Sequence, residues 1–322
     1  MQDFYFAIYI LFTLFLVGYG ITAFLIPQTL KKYGLWFSPW IGTIIVILLN
    51  VSASLGMVPV SISSNIFLLF FFLTILYAFF LKKQLVVFSK YNIVFSIFIL
   101  FCFLVFPYFM QDLDIKNKII ESEYFYKSTL VTKLNEKKTL SLDDFNISSS
   151  MVISFINSIY KNKIKDIMPP LSLVYISLLF PLFSALINNI HKSNNLFFKT
   201  ILYFLLLVFI KFFIHSLDTV LYVGIVSMII LFLIQYFSFL LKNSVVVFKL
   251  ENFDILLAIS LASLTVITPA FFKYLFLIFI VVIAIVLFYS KRKINILFAL
   301  SKIIFLTFLI NPLTVGIALG IR

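Results

Sequence analysis

Four carboxylates stand where their type and spacing could do chemistry. Asp112 and Asp114 lie where an apolar run gives way to polar sequence, and Glu121 and Glu123 follow a few residues later. Two carboxylates one residue apart at a membrane exit can hold a divalent cation through hard oxygen ligands, or one of them can take a proton from an attacking hydroxyl. A hydrated helix end also accounts for Asp112 and Asp114. Glu121 and Glu123 open a segment with helical periodicity, where acidic side chains also answer the positive end of a helix. These four are the candidate catalytic residues, and a divalent metal is the one cofactor they suggest. The neighbouring pair Asp143 and Asp144 reads as turn chemistry in a polar connector.

Elsewhere ionisable groups are scarce. Lys211, His215 and Lys302 fall inside apolar runs, and Asp218 and Asp254 fall at run ends. An ionisable residue inside a bilayer is a functional hypothesis by default. Lys211, however, has His215 and Asp218 one and two helical turns on and can pair with them. Lys302 can snorkel toward an interface. His191 and His215 are expected on opposite membrane sides, so they complete no Ser/His/Asp set. The sequence carries no Gly-rich phosphate loop and no His/Cys metal cluster. Cys102 is the single cysteine and lies in an apolar run, so no intrachain disulfide can form. Asn146-Ile147-Ser148 fits the glycosylation acceptor pattern, which matters only in a secretory context.

The elements that must position these residues follow from composition. Of 322 residues, 63% are hydrophobic and 11% charged, and mean hydropathy is +1.16. A soluble domain carries about a quarter charged residues, so soluble, coiled-coil and disordered classes are excluded. Continuous rather than alternating apolar runs exclude a transmembrane β-barrel. A helix needs ~20 apolar residues to cross ~30 Å of hydrocarbon. The expected fold is an all-α polytopic membrane protein with ten spans: 4–26, 39–60, 65–81, 92–110, 171–190, 197–215, 219–241, 254–271, 274–290 and 295–320. It divides into an N-terminal membrane segment of four helices (1–110), a loop (111–170) and a C-terminal membrane segment of six helices (171–322). The first run lacks the basic start and small-residue cleavage site of a signal peptide and is expected to be a retained helix. Asn311-Pro312 should kink or end the last span.

Charge sets the expected orientation. Twelve basic residues follow the odd-numbered spans, beginning with Lys31 and Lys32 and ending with Lys291, Arg292 and Lys293. The short loops after spans two, six and eight hold only Lys273. Under the positive-inside pattern, both termini and the 111–170 loop are extracytoplasmic in a plasma (inner) membrane. The net charge of +13 is thereby a matter of membrane topology, and no nucleic-acid partner is read into it.

The 111–170 loop holds eight of the twelve acidic residues. Ile120, Tyr124, Val131 and Leu134 can line one face of a first helix. Val152, Phe155, Ile156 and Ile159 can line a second, with Ser148 as its N-cap. Both stripes are amphipathic, so both helices are expected to lie in the membrane interface.

Four spans followed by an acidic outer loop with two such helices resemble the front half of bacterial GT-C-type membrane glycosyltransferases. The stretch GYGITAFLIPQTLKKYGLWFSPWIGTIIVILLNVSASLGMVPVS is similar to their N-terminal helices. ESEYFYKSTLVTKLNEKKTLSLDDF is similar to their first outer loop, and MPPLSLVYISLLFPLFSALI to the span that follows. The resemblance implies transfer of sugar from a polyprenyl-phosphate donor in cell-envelope glycan assembly. A loop carboxylate would serve as base, a role that falls to Glu121 or Glu123 with Asp112 and Asp114 as rivals. A Glu stands here where the family usually has Asp before its Tyr or His. Three other readings stand beside it. An envelope polysaccharide polymerase shares the composition, but the 111–170 loop has no Arg for bidentate phosphate recognition. A flippase or other transporter should show an internal repeat or interrupted helices. A non-catalytic subunit would need a partner chain.

Overall fold

The structure is a computed structural model that describes residues 2–55, 60–81, 90–112, 131, 148–190, 217–242, 250–267, 280, 284 and 293–311. Among the described residues there are nine α-helices and no strand: α1 (Gln2–Leu25), α2 (Gly34–Leu55), α3 (Val60–Phe80), α4 (Lys90–Asp112), α5 (Ser148–Tyr160), α6 (Ile164–Ile190), α7 (Leu217–Lys242), α8 (Asn252–Ile267) and α9 (Lys293–Ile310). All but α5 correspond to expected spans. The expected sixth span lies outside the described residues, as do the short loop that holds Lys273 and all of the expected ninth span but residues 280 and 284, which are helical. Four stretches are long and apolar enough to cross a bilayer: Phe4–Leu25, Gln28–Ser52, Ile164–Asn189 and Leu217–Ser238.

The surface identifies the solvent. Ile66, Leu69, Phe70, Phe72, Leu73 and Tyr77 of α3 are exposed, and α4 and α9 likewise expose Ile97, Phe101, Phe305 and Leu309. Water does not tolerate apolar area on this scale, whereas hydrocarbon does. Serine, threonine and asparagine side chains are turned inward instead, where Ser38, Thr43, Asn50 and Ser263 are buried. In lipid the backbone must satisfy itself, which is why these apolar runs become helices.

Side-chain contacts fix the two ends of the bundle. At one end, Asn188 near the end of α6 donates to Tyr33 just before α2 (2.8 Å), and Asn252 at the start of α8 donates to the Phe24 carbonyl at the end of α1 (3.0 Å). Lys31, Lys32, Lys90, Lys242 and Lys293 belong to helix ends at this side, which we call the lysine end. At the other end, Asn50 of α2 donates to the Met151 carbonyl of α5 (2.7 Å), and Ser158 of α5 donates to Ser64 of α3 (2.8 Å). Here α4 ends at Asp112 and α5 packs, so this is the loop end.

Chain breaks have local causes. Pro27 is extended (φ −64°, ψ 151°) and stops α1, and a 3-10 turn over Gln28–Tyr33 carries the chain into α2. Between α5 and α6, Lys161 takes φ 53°, the left-handed value that ends many helices. The fifth span was expected to start at 171, yet α6 begins at Ile164 and holds Pro169 and Pro170 inside it. The two prolines remove helical partners of the Lys165 and Asp166 carbonyls, but both of those residues are exposed and water can serve them. α9 ends at Ile310. Asn311 turns its amide into α8, donating to the Ala262 carbonyl (3.2 Å) and Thr265 Oγ1 (3.0 Å).

α1 and α2 cross at glycine. A methyl group on Gly18 would overlap the Ser38 carbonyl oxygen, and one on Gly42 would overlap the Leu14 carbonyl oxygen. Small residues that let backbones touch are the usual adhesive between helices in lipid, where dispersion replaces the hydrophobic drive. Because the obstacle is backbone on both sides, Gly42→Leu should force the pair apart and cost about 1–3 kcal/mol or more. A clear fall in the thermal midpoint of the detergent-solubilised protein is expected, and an unchanged midpoint would refute this crossing. A second contact pins α7: Gly224 lies flat against the Trp40 ring, whose Nε1 donates to the Leu178 carbonyl (3.3 Å). Here the obstacle is a side chain, so Gly224→Ala should cost less than Gly42→Leu in the same assay.

Candidate functional site

One of the four expected carboxylates lies among the described residues, at the loop end. Asp112 is the last residue of α4. Asp114, Glu121 and Glu123 lie outside the described residues, as do Asp143 and Asp144. Of the first expected loop helix only Val131 is described, and it is helical and buried. Among the described residues no group of three His, Cys, Asp or Glu converges as a metal site would require.

The second expected loop helix is α5, and it differs from the expectation in its surroundings. Residues 149 to 156 are buried in unbroken succession, so this stretch is packed inside the protein rather than half-sunk in an interface. The physical reason is that its polar groups find partners in the bundle. Asn50 takes the Met151 carbonyl, and Tyr160 reaches Thr13 of α1, its hydroxyl 2.6 Å from Thr13 Oγ1. Ser148 was expected as N-cap, but the helix already includes it, and a carboxylate from another helix serves the first turn. Asp218 Oδ1 accepts the Ser149 backbone N–H at 2.8 Å. Asp218 itself stands in the first turn of α7. The sequence reading had linked Asp218 to Lys211 and His215, both outside the described residues. Beside Asp218, Ser149 and Ser150 are fully buried, and among the described residues their hydroxyls reach no partner.

A second polar cluster lies toward the lysine end. Asp254, in the first turn of α8, is completely buried. Lys302 of α9 approaches its Oδ2 at 2.5 Å, the Tyr236 hydroxyl of α7 donates to Oδ1 at 2.7 Å, and the Glu251 N–H donates to Oδ2 at 2.8 Å. Three donors and the positive end of α8 surround one carboxylate, the condition under which a charge is tolerated away from water. Lys302 was expected to snorkel. Instead it is only 17% exposed and paired. Sequence reading noted both residues but could not join them across 48 positions, and Tyr236 gave no signal at all. Close by, Gln235 of α7 donates to the Asn189 side chain of α6.

The class of protein is therefore defined: a multi-pass membrane protein, helical throughout its described elements, with a buried ion pair toward one end and Asp112 and Asp218 at the other. Comparison with family models, with curated proteins and with solved structures finds no match to this chain.

Proposed function

We propose that the chain is an integral-membrane glycosyltransferase of GT-C-like character, acting on polyprenyl-phosphate-linked sugars in cell-envelope glycan assembly. The observation that supports this reading is the polarity of the loop end. α4 delivers Asp112 there, the acidic segment begins there, and α5 is built into the same end beside Asp218. An acceptor hydroxyl arriving at a membrane face needs a base within hydrogen-bond reach, and this end supplies carboxylates. The lysine-rich end then faces the cytoplasm and the loop end faces outward in a plasma membrane.

The test is turnover. Purified protein in liposomes is given polyprenyl-phosphate-linked sugars and candidate acceptors, with and without a divalent cation. Sugar transfer is expected. Movement of the lipid-linked sugar across the bilayer without transfer would replace this reading by a flippase or transporter. One observation favours that second reading, because a buried pair such as Asp254–Lys302 marks ion or substrate pathways in other membrane proteins. Neither activity in a well-folded sample would reject both.

A further inference from the structure

We infer that an anionic phospholipid docks lengthwise against α1, with its headgroup on Lys31 and Lys32 and its chains in the apolar gap between α3 and α4. The inference is independent of the glycosyl-transfer reading.

The gap comes from how the helices pack. α3 and α4 follow one another in the chain, yet α3 packs chiefly on α1 and α4 chiefly on α6, and their described residues hardly touch each other. Between them lies one face of α1. Tyr5, Tyr9 and Phe12 are more than half exposed on it, whereas Ile10 and Leu14 on the opposite face are buried. Spacings of three and four residues continue the same stripe through Leu16, Tyr19 and Ala23, which are half-buried, so the stripe is recessed toward the lysine end. With 3.6 residues per turn, Phe4 and Phe24 fall about 100° to either side of the stripe. Phe4 meets Phe103 of α4 (ring centroids 6.4 Å apart), and Phe24 stacks on Tyr77 of α3 (5.7 Å). The two helices are therefore the walls of a trough and α1 is its floor.

The mouth of the trough at the lysine end is basic. The 3-10 turn over Gln28–Tyr33 follows α1 there, and side chains three apart share a face of such a turn. Leu30 and Tyr33 are buried, and Tyr33 meets Phe95 near the start of α4 (6.4 Å). Lys31 and Lys32 take the outer side and are exposed, with the Lys32 ammonium 4.9 Å from the centre of the Tyr33 ring. The turn thus carries two cations from the end of α1 toward the start of α4. From Phe4 to Gln111 the sequence has five lysines and no acidic residue, so this segment supplies no carboxylate to answer them.

These two features select the ligand. An apolar trough open to hydrocarbon takes acyl chains, and basic groups between helices at the membrane surface take a phosphate headgroup. A zwitterionic lipid brings a cation of its own to the lysines. A second copy docked about a two-fold axis would set lysine against lysine. An anionic phospholipid meets neither objection. One leaflet reaches half of ~30 Å of hydrocarbon, which is about ten residues of helix, and the recessed stretch from Leu16 to Ala23 lies within that reach of the turn.

The experiment counts bound lipid. The full chain, delipidated in detergent, is titrated with phosphatidylglycerol and, separately, with phosphatidylcholine of the same chains, and native mass spectrometry reads the occupancy. The first phosphatidylglycerol should bind about tenfold or more tighter, since each lysine at an anionic headgroup is worth about fivefold. The variant K31Q/K32Q should bring the two lipids close to equality with no fall in the lipid-free thermal midpoint, because both side chains are exposed. K163Q/K165Q removes the same charge from exposed positions at the start of α6 and should leave the preference intact. Ala23→Trp fills the floor while sparing both lysines, and should weaken phosphatidylglycerol several-fold. Equal binding of the two lipids by the wild type would overturn the proposal. So would a preference that survives K31Q/K32Q, or one that K163Q/K165Q lowers as much, which would make net charge its source. A preference indifferent to Ala23→Trp would put the chains elsewhere and reject the trough. A lipid-free dimer that phosphatidylglycerol does not enter would give the face to a second copy and reject the lipid.

Discussion

Lys302→Met should be the most damaging single change in the C-terminal half, costing about 3–5 kcal/mol. The size follows from what is left behind. Asp254 has no exposure and depends on Lys302 for its counter-charge, so removing the lysine strands a carboxylate among apolar helices. Tyr236 and the Glu251 N–H remain, but two neutral donors do not replace an ammonium. Tyr236→Phe removes one donor and keeps the ring, and should cost about 1.5–3 kcal/mol. The double variant D254N/K302M removes both charges and should recover most of the loss, because a buried pair contributes little beyond its own desolvation. Thermal unfolding followed by size exclusion in detergent would read all three. A Lys302→Met protein as stable as wild type would show that the pair does not hold the bundle. A D254N/K302M protein that is stable but inactive would give the pair a functional role instead, and would strengthen the transport reading.

That pair also explains what sequence reading could and could not reach. Helices α1 to α4 were legible because lipid demands long apolar runs, and their expected limits differ from the observed ones by a few residues. The expected second loop helix was legible from Val152, Phe155 and Ile156, which are all buried. Its setting was not, because burial of the opposite face depends on Asn50 and Asp218, residues distant in sequence. The start of α6 was displaced by Pro169 and Pro170, which usually punctuate a helix and here sit just after its exposed first turn, where water can serve the carbonyls they leave open. Long-range polar pairing was invisible for the same reason. Asp254 looked like a run end and Lys302 like a snorkelling cation, and only packing of α8 on α9 joins them. The loop carboxylates were legible by type and spacing alone, and of the four candidates Asp112 lies among the described residues, in α4.

Among the four carboxylates, Asp112→Asn is the first variant to make, and under the glycosyltransferase reading one of the four should lower turnover by about 10²–10⁴-fold. Position gives the reason for starting there. Asp112 is the one of the four that lies among the described residues, in α4 at the loop end. Glu121 and Glu123 open an expected helix, where the dipole accounts for acids without any catalytic role. The amide of Asp112→Asn keeps the size of the side chain, so the protein should stay folded, and turnover should fall where Asp112 is the base. Asp114→Asn, Glu121→Gln and Glu123→Gln complete the set, and full activity in all four would reject a base from this segment. A chelator then separates the two chemistries open to Asp112 and Asp114. Activity lost on chelation and restored by a divalent cation means the carboxylates hold a metal. Activity indifferent to chelation but lost in one Asn variant means that a carboxylate takes the proton itself, since an amide can neither accept it nor carry the charge.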